Sequence, residues 1–362
     1  MVRIITYLQK GLPHDSMDRH VAVAYYPEGA GHATRMLAVA RALESRGASV
    51  SIAGGGPGAK FVDLHGYDQF EPATVDYIDD FQNGGNLLRV LTNSVPTSAK
   101  RVVDYVRWLR RIDPDAIVTD DMFASMAAAI ARTPLYVLTH NSPGFYDERI
   151  QEWFTWLLTE FQLRVCREFF YPAVWPAGDD DPAGVTRVPP VALEAPASTG
   201  EPRGPEPTPP RSDGGVERER EPTVADASQL DPEILCVPSH YSRGFDSVVE
   251  DLEREGRGVT LAGGENWQPV PALLPVIRRA DAVVCSGYST IMETAVAGTP
   301  CVIYPFTDEQ RGVARAIDRA DVDGFTVVDA PEAVGDAIET VSDSTPFENG
   351  ADVIAESLLG DL

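Results

Sequence analysis

The sequence contains almost no lysine. Lysine occupies only positions 10, 60 and 100, which leaves 27 arginines among the 30 basic residues. The 55 Asp and Glu residues bring the formal net charge to −25, so nucleic acid and anionic membranes are poor partners for the bulk of the surface. Abundant short carboxylates with so little lysine are typical of adaptation to high salt. We therefore expect a halophilic protein that needs molar salt to fold.

Cysteine is scarce as well. The four cysteines lie far apart and form no Cys-x-x-C pair; they are Cys166, Cys236, Cys285 and Cys301. This spacing favours neither a zinc site nor a disulfide framework, so we expect reduced, mostly buried thiols in a cytoplasmic protein. No apolar run approaches membrane-spanning length, and the N-terminus lacks the basic-then-apolar layout of a signal peptide.

The pattern of apolar runs divides the chain into two α/β domains. A chain of 362 residues is long enough for two hydrophobic cores. We predict an extension of unknown role over residues 1–19, a first domain over 20–193, a linker rich in Pro, Gly and acidic residues over 194–230, and a second domain over 231–362.

Polar residues follow several predicted strands of the first domain. Strands over Val21–Tyr26 and Ser49–Ala53 flank a helix over His32–Arg46, which indicates a right-handed crossover in a parallel sheet. Further strands lead into Asp120-Asp121 and into His140, which we expect at the same sheet edge as His32. His32 lies in the first helical turn, where the helix dipole disfavours a positive charge, so we expect a neutral imidazole that can accept a proton.

The stretch Ala280–Gln310 has the most informative pattern. It predicts a buried strand over Ala282–Cys285, a tight loop, a helix capped by Ser289 or Thr290 and ended by Gly298, and a second buried strand. The helix N-terminus then points into the crevice at the carboxyl ends of parallel strands. Open α/β sheets bind phosphorylated ligands in that position.

This stretch resembles the donor-nucleotide site of GT-B glycosyltransferases. It is most similar to the family 28, MurG-like branch, which contains the peptidoglycan lipid-linked N-acetylglucosaminyltransferase and its archaeal relatives. The residues that carry the resemblance keep the order and spacing of that branch: Ser286, Gly287, Thr290, Glu293, Gly298, Pro300, Pro305, Glu309 and Gln310. Gly29-Ala30-Gly31-His32 also matches the family's G-x-G-H element. Val313 departs from the pattern, because the family usually has Asn there.

The resemblance implies a fold and a set of roles. The fold is GT-B, with two Rossmann-like domains facing across a cleft, the first on the acceptor side and the second holding the nucleotide sugar. Donor-binding residues are then Gly31, Arg243, Gly287, Ser289, Thr290, Glu293, Glu309 and Gln310, with Glu293 on the ribose and the last two on the sugar. His32 and Asp121 are the expected catalytic pair, although Asp120 could equally orient His32.

Several of these residues have simpler interpretations. Thr290 and Glu293 also fit a capping box, which needs no ligand, and Asp121 also fits a plain helix N-cap. The arginines at 101, 107, 110 and 111 are expected on a solvated helix face.

The aromatic stretch Phe145–Phe170 is predicted to be helical, with most rings in the core. A surplus apolar face could bind a lipid-linked acceptor or contact the inner face of the membrane.

No metal or other cofactor is expected. Metal-dependent transferases of another fold use an Asp-x-Asp motif, and this string occurs at 113–115, 179–181 and 321–323. In so acidic a chain we attribute these matches to chance.

The resulting hypothesis is an inverting glycosyltransferase that moves a hexosyl or N-acetylhexosaminyl group from a nucleotide sugar, expected to be a UDP-sugar, to an unknown hydroxyl acceptor. Two alternatives stay open. One is a nucleotide-sugar epimerase of the same architecture, and the other is a non-catalytic nucleotide-sugar-binding subunit.

Overall fold

Two parallel β-sheets organise the chain. The computed structural model describes residues 19–74, 87–178, 181–195, 230–239, 242, 244–263 and 269–362, and only the backbone of 87–95. Within these residues the first sheet has seven strands and the second has five, and every strand pair is parallel. The α/β class with two Rossmann-like sheets is confirmed.

The first sheet has the strand order β3-β2-β1-β4-β5-β6-β7. Its strands are β1 His20–Ala24, β2 Ser49–Ala53, β3 Gln69–Phe70, β4 Ala116–Thr119, β5 Leu135–Leu138, β6 Glu168–Pro172 and β7 Thr186–Val188. The central strands β4 and β5 are buried at every position. Such uninterrupted apolar runs suit a parallel sheet that is covered on both faces.

The second sheet has the order β12-β11-β10-β8-β9. Its strands are β8 Ile234–Val237, β9 Val259–Leu261, β10 Ala282–Cys285, β11 Cys301–Ile303 and β12 Phe325–Val327. The buried strands predicted in Ala280–Gln310 are thus confirmed as β10 and β11. Gly298 ends the helix between them in the left-handed conformation, with φ at 73°.

Helices cover the sheets. In the first lobe, residues 20–188, they are α1 Ala30–Glu44, α2 Ala59–Leu64, α3 Leu87–Ile112, α4 Met122–Ala131 and α5 Arg149–Val165. In the second lobe, residues 234–340, they are α6 Phe245–Arg254, α7 Leu274–Ile277, α8 Tyr288–Ala297, α9 Asp308–Ala320 and α10 Val334–Thr340. The last helix, α11 Gly350–Asp361, buries Ile354 and Leu358 in the core that surrounds α1, so the C-terminal segment crosses back to the first lobe.

Each sheet reverses its strand order at one point. In the first sheet, β1 leads to β2 on one side and pairs with β4 on the other. In the second sheet, β8 and β10 lie at the corresponding position. Ligands of open α/β sheets bind beyond the carboxyl ends of the strands at these switch points. The loops after β1, β4, β8 and β10 therefore define where to look for the site.

Some predictions about these elements were wrong. The helix predicted over Phe145–Phe170 occupies only Arg149–Val165, because Phe169 and Phe170 belong to β6 and are buried there. Arg101 is not on a solvated face; its side chain is fully buried. The predicted extension, except Arg19, and most of the predicted linker lie outside the described residues.

The cysteines behave as expected for thiols. Cys236, Cys285 and Cys301 are buried and free, whereas Cys166 is partly exposed. Within the described part of the chain, no helix combines the length and the hydropathy needed to cross a membrane.

Candidate active site

A histidine–carboxylate pair lies at the switch point of the first sheet. His32, in the first turn of α1, has its Nδ1 2.8 Å from Oδ2 of Asp120, which directly follows β4. The Tyr26 backbone N–H donates to the other Asp120 oxygen at 2.8 Å. The Asp120 side chain is 1% exposed, whereas that of His32 is 31% exposed. Of the two side chains, only that of His32 is therefore accessible from solvent.

Asp120 is held as a carboxylate. Burial would raise the pKa of Asp120, but the positive charge of Arg35 and the hydrogen bonds that His32 and Arg35 donate lower it below its usual value. The Arg35 Nη2 group lies 2.5 Å from Asp120 Oδ2. The ionised Asp120, 2.8 Å from His32 Nδ1, favours the tautomer with its proton on that nitrogen over the longer contact of 3.2 Å that Arg35 Nη2 makes with it, and Nε2 can then accept a proton.

Asp121, which we expected to pair with His32, has a different role. Its side chain is fully buried and caps α4 by accepting the Phe123 N–H at 2.7 Å. Its other oxygen accepts from Arg101 Nη2 at 2.6 Å and from the Tyr105 hydroxyl at 2.9 Å. The prediction for Asp121 is thus corrected: the neighbouring Asp120 contacts the histidine, and Asp121 holds α3 and α4 together.

The second lobe presents hydroxyl groups and a helix N-terminus. Ser239, after β8, donates its backbone N–H to Ser286 Oγ at 2.9 Å, and Ser242 Oγ lies 2.6 Å from the same oxygen. Helix α8 then begins after Gly287, which provides no side-chain cap. Its first N–H groups are therefore available to an anion. The expected cap by Ser289 or Thr290 was wrong by two or three residues.

The N-termini of α1 and α8 meet at the lobe boundary. A Cβ on Gly31 would lie 2.3 Å from Ser289 Oγ, so only glycine allows this approach. Gly31 and Ser289 are both partly exposed. At Gly287, by contrast, an added Cβ would meet only Ser239 Cβ at 3.7 Å, an ordinary contact. The close approach therefore explains the first glycine but not the second.

Glu293 is a buried carboxyl group on α8. It is 6% exposed, and the described residues supply it with no hydrogen bond. Burial raises the pKa of Glu293 to about 8. Because Gly287 is the N-cap, Glu293 occupies the sixth helical position and cannot form the capping box with Thr290. Thr290 itself is buried, at 7% exposure.

Glu309 and Gln310, at the start of α9, are placed differently. Gln310 completes a capping box with Thr307 and donates its amide to Ser239 Oγ at 3.0 Å, so both ends of its side chain are engaged. The Glu309 side chain is 39% exposed and accepts from His140 Nε2 at 2.6 Å. Burial raises the pKa of Glu309, but the hydrogen bond from His140 and the positive charge of Arg35 outweigh this and lower it.

Three further residues complete the cluster. They are Arg35, His140 and Tyr288; His140 was expected at this sheet edge, whereas Tyr288, which stacks on it, was missed. A tyrosine at the start of a helix has no distinctive spacing, so the sequence contained no signal for it. Arg243 lies outside the described residues. Val313, the departure from the family pattern, is 1% exposed and packs in the core.

Comparisons with known proteins agree with this architecture. The glycosyltransferase SsfS6 of Streptomyces sp. SF2575 superposes with a TM-score of 0.56 at 15% identity, covering 94% of this chain and 99% of that one. SnogD of Streptomyces nogalater gives 0.55 at 16% identity, with 96% and 100% covered. MurG of Acinetobacter baumannii gives 0.53 at 14%, with 95% and 100% covered. The chain has the GT-B fold.

Sequence comparison reaches a smaller part of the chain. Putative UDP-glucuronosyltransferase ugt-48 of Caenorhabditis elegans is 25% identical over 142 residues, which are 36% of this chain and 27% of that protein. Ugt-47 of Caenorhabditis briggsae is 24% identical over 106 residues, 27% and 20% respectively. The match therefore spans about a quarter of these relatives. No protein-family model matches the chain.

Proposed function

We propose that this GT-B protein is an inverting glycosyltransferase that moves a sugar from a UDP-sugar to an acceptor hydroxyl. The observation that carries the proposal is the His32–Asp120 pair beside the uncapped N-terminus of α8. One group can take a proton and the other can hold a diphosphate. The names of the UDP-glucuronosyltransferase relatives support a uridine donor, while SsfS6 has been crystallised with thymidine diphosphate, so both bases belong in the test.

His32 acts as the general base. Its Nε2 takes the proton of the acceptor hydroxyl while that oxygen attacks the anomeric carbon and the bond to the diphosphate oxygen breaks. Asp120, ionised and fixed by Tyr26, stabilises the imidazolium that forms. Attack from the side opposite the leaving group inverts the anomeric configuration.

The leaving diphosphate is stabilised by the start of α8. Its free N–H groups and the helix dipole oppose the negative charge that develops, and these groups need no metal ion. Two of the Asp-x-Asp matches have structural roles: Asp115 accepts the His20 N–H at 2.8 Å, and Asp321 ends α9 in the left-handed conformation. We therefore propose a metal-independent reaction. Loss of turnover in EDTA that Mn²⁺ restores would contradict this.

Glu293 binds the donor ribose in this proposal. A buried carboxyl group without a hydrogen-bond partner among the described residues is suited to accept from two ribose hydroxyls. Glu293→Gln keeps the shape but replaces one oxygen with an amide nitrogen that can only donate, so we expect about tenfold weaker nucleotide-sugar binding. Unchanged affinity would reject the ribose role. We propose that Glu309 binds the sugar hydroxyls and that Gln310 supports the loop after β8 through its hydrogen bond to Ser239.

An apolar face on α5 is proposed to contact a lipid-linked acceptor or the membrane surface. Its side chains are between 45% and 78% exposed and are Ile150, Trp153, Phe154, Trp156 and Leu157. Phe145, shortly before α5, accepts from Arg315 of α9 at 3.0 Å, so the segment that leads into α5 contacts the second lobe. Aromatic and aliphatic side chains of this kind enter the lipid interface.

The membrane proposal can be tested with vesicles. Wild-type protein should co-sediment with lipid vesicles in molar KCl, where charge attraction is screened. Trp153→Ser with Phe154→Ser should abolish sedimentation, and Ile130→Ser, which alters an exposed apolar residue on α4, should not. Equal sedimentation of the wild type, the double variant and Ile130→Ser would contradict the membrane proposal.

The activity itself is tested with a donor panel in molar KCl. Thermal-shift measurements with UDP-glucose, UDP-N-acetylglucosamine, UDP-glucuronate and TDP-glucose identify the donor. NMR of the product then gives the anomeric configuration, which we expect to be inverted. Isomerised sugar from the donor alone would support the epimerase alternative, and binding without turnover on a broad acceptor panel would support a non-catalytic subunit.

A further inference from the structure

His140 bridges the two lobes at the site. It follows β5 of the first lobe and is 6% exposed. Its ring stacks on Tyr288 of the second lobe, with centroids 3.5 Å apart and planes at 8°. The Tyr288 hydroxyl in turn donates to the Pro172 carbonyl of the first lobe at 2.5 Å. The imidazole is thus fixed in position and orientation between the lobes.

The hydrogen bonds of His140 assign its tautomer. Arg35 Nη1 lies 3.1 Å from His140 Nδ1, and because a guanidinium can only donate, Nδ1 must accept. The proton is therefore on Nε2, which donates to Glu309 Oε1 at 2.6 Å. Burial lowers the pKa of His140, in agreement with a neutral ring. The imidazole links a fixed arginine of one lobe to a carboxylate of the other.

Glu309 needs such a link. It lies in the first turn of α9, its side chain is 39% exposed, and a free glutamate there would sample several rotamers. The bond to His140 occupies Oε1, and the described residues provide no second bond to this carboxylate. Oε2 is left for a ligand.

We propose that His140 is a positioning residue for the donor sugar: it orients the Glu309 carboxylate from the opposite lobe, so that the sugar-binding site is complete only when the lobes are in contact. This inference rests on the proposed function, because it assumes that Glu309 binds sugar hydroxyls. Two parts of the donor are then bound by different groups. Nucleoside diphosphate binding depends on the second lobe, whereas the additional affinity for the attached sugar depends on His140.

The test measures the affinity of the tightest-binding nucleotide sugar of the panel and of its free nucleoside diphosphate, by calorimetry in molar KCl. His140→Phe retains a ring against Tyr288 but removes both hydrogen bonds. We expect the preference for the nucleotide sugar over the diphosphate to fall about tenfold, with diphosphate affinity unchanged. His140→Gln, which can still accept from Arg35 and donate to Glu309, should restore most of the preference.

The molecule provides a matched control. His65 has the same arrangement at another point of the lobe boundary, with Arg41 Nη1 2.9 Å from its Nδ1 and the Pro271 carbonyl 2.7 Å from its Nε2. His65→Phe should leave the preference unchanged. In a Glu309→Ala background, His140→Phe should have no further effect on it, because His140 acts through that carboxylate.

The outcomes are distinct. A wild-type preference retained in His140→Phe, an equal loss in His65→Phe, or a full additional loss in the Glu309→Ala background would each overturn the inference and leave the proposed function standing. If the wild-type protein binds no nucleotide sugar of the panel, the proposed function fails, and the inference fails with it.

Discussion

Asp120 in the first lobe and Glu293 in the second are both buried carboxyl groups, but their surroundings differ. Asp120 accepts hydrogen bonds from Tyr26, His32 and Arg35, and its pKa is lowered despite its burial. Glu293 has no such bond among the described residues, and burial raises its pKa to about 8. Asp120 is therefore suited to stabilise a charged partner within the protein, whereas Glu293 is suited to bind a ligand that supplies hydrogen-bond donors.

The largest effect is expected where the first carboxylate is altered. Asp120→Asn keeps the shape but removes the charge that stabilises protonated His32, so kcat should fall about 10³-fold, as it should in His32→Gln. Initial rates of sugar transfer measure this. Because the two residues act as a unit, the double variant should be no slower than either single one. Additive losses would mean that His32 and Asp120 act separately.

The adjacent carboxylate, Asp121, should matter for stability instead. Arg101→Met leaves it buried and unpaired, which should lower the free energy of unfolding by about 3–5 kcal/mol. Arg107→Met on the same helix α3, where the side chain is 77% exposed, should change it by less than about 0.5 kcal/mol. Denaturant titration measures both, and kcat per folded molecule should not change. If the Arg101→Met variant were stable but inactive, Asp121 would have a role in the active site.

Glu293 should affect the pH dependence of stability. Its native pKa, about 8, exceeds the unfolded value of 4.5, so the folded state retains a proton that the unfolded state loses between these pH values. Protonation of Glu293 therefore contributes on the order of a few kcal/mol to the free energy of unfolding. The contribution is complete below pH 4.5 and is lost as the pH rises to about 8. In Glu293→Gln the free energy of unfolding should decline less steeply as the pH rises. Identical pH profiles in urea titrations would show that Glu293 is not protonated in the native state.

The contact between the lobes should give the smallest effect. Gly31→Ala places a methyl group against Ser289 and should cost about 1–3 kcal/mol in transition-state stabilisation, seen as lower kcat/KM. Ser289→Gly in the same molecule removes the obstructing atoms and should recover part of the loss. Gly360→Ala, where an added Cβ meets nothing within 4 Å, is the control. If both alanine variants behave alike, the lobes do not approach in this way during the reaction.

The fold could be predicted from the sequence because its strands are short apolar runs and its loops carry strong signals. β2 occupies the residues predicted for it, β4 and β5 lead into Asp120 and His140 as predicted, and the helix end at Gly298 follows from the conformational freedom of glycine. The approximate place of the site followed from topology, since polar residues after parallel strands gather at one edge.

The choice between Asp120 and Asp121 could not be predicted. Strand β4 is buried on both faces, so it has no alternation from which to infer which way each following side chain points. Arg101 was misplaced for a related reason. Its buried partner, Asp121, lies outside helix α3, and the residues of that helix alone suggested a solvated face. Which rings of the aromatic stretch stay exposed on α5 could likewise not be predicted, since composition does not reveal which helix face lacks a neighbour.

The central claim is that a nucleoside diphosphate binds at the start of α8, opposite His32. A crystal structure of the protein with UDP, grown in molar KCl, tests it most directly. We predict phosphate oxygens within hydrogen-bonding distance of the first N–H groups of α8 and ribose hydroxyls on Glu293. A nucleotide bound elsewhere, or at this helix with Glu293 turned away from the ribose, would contradict the account.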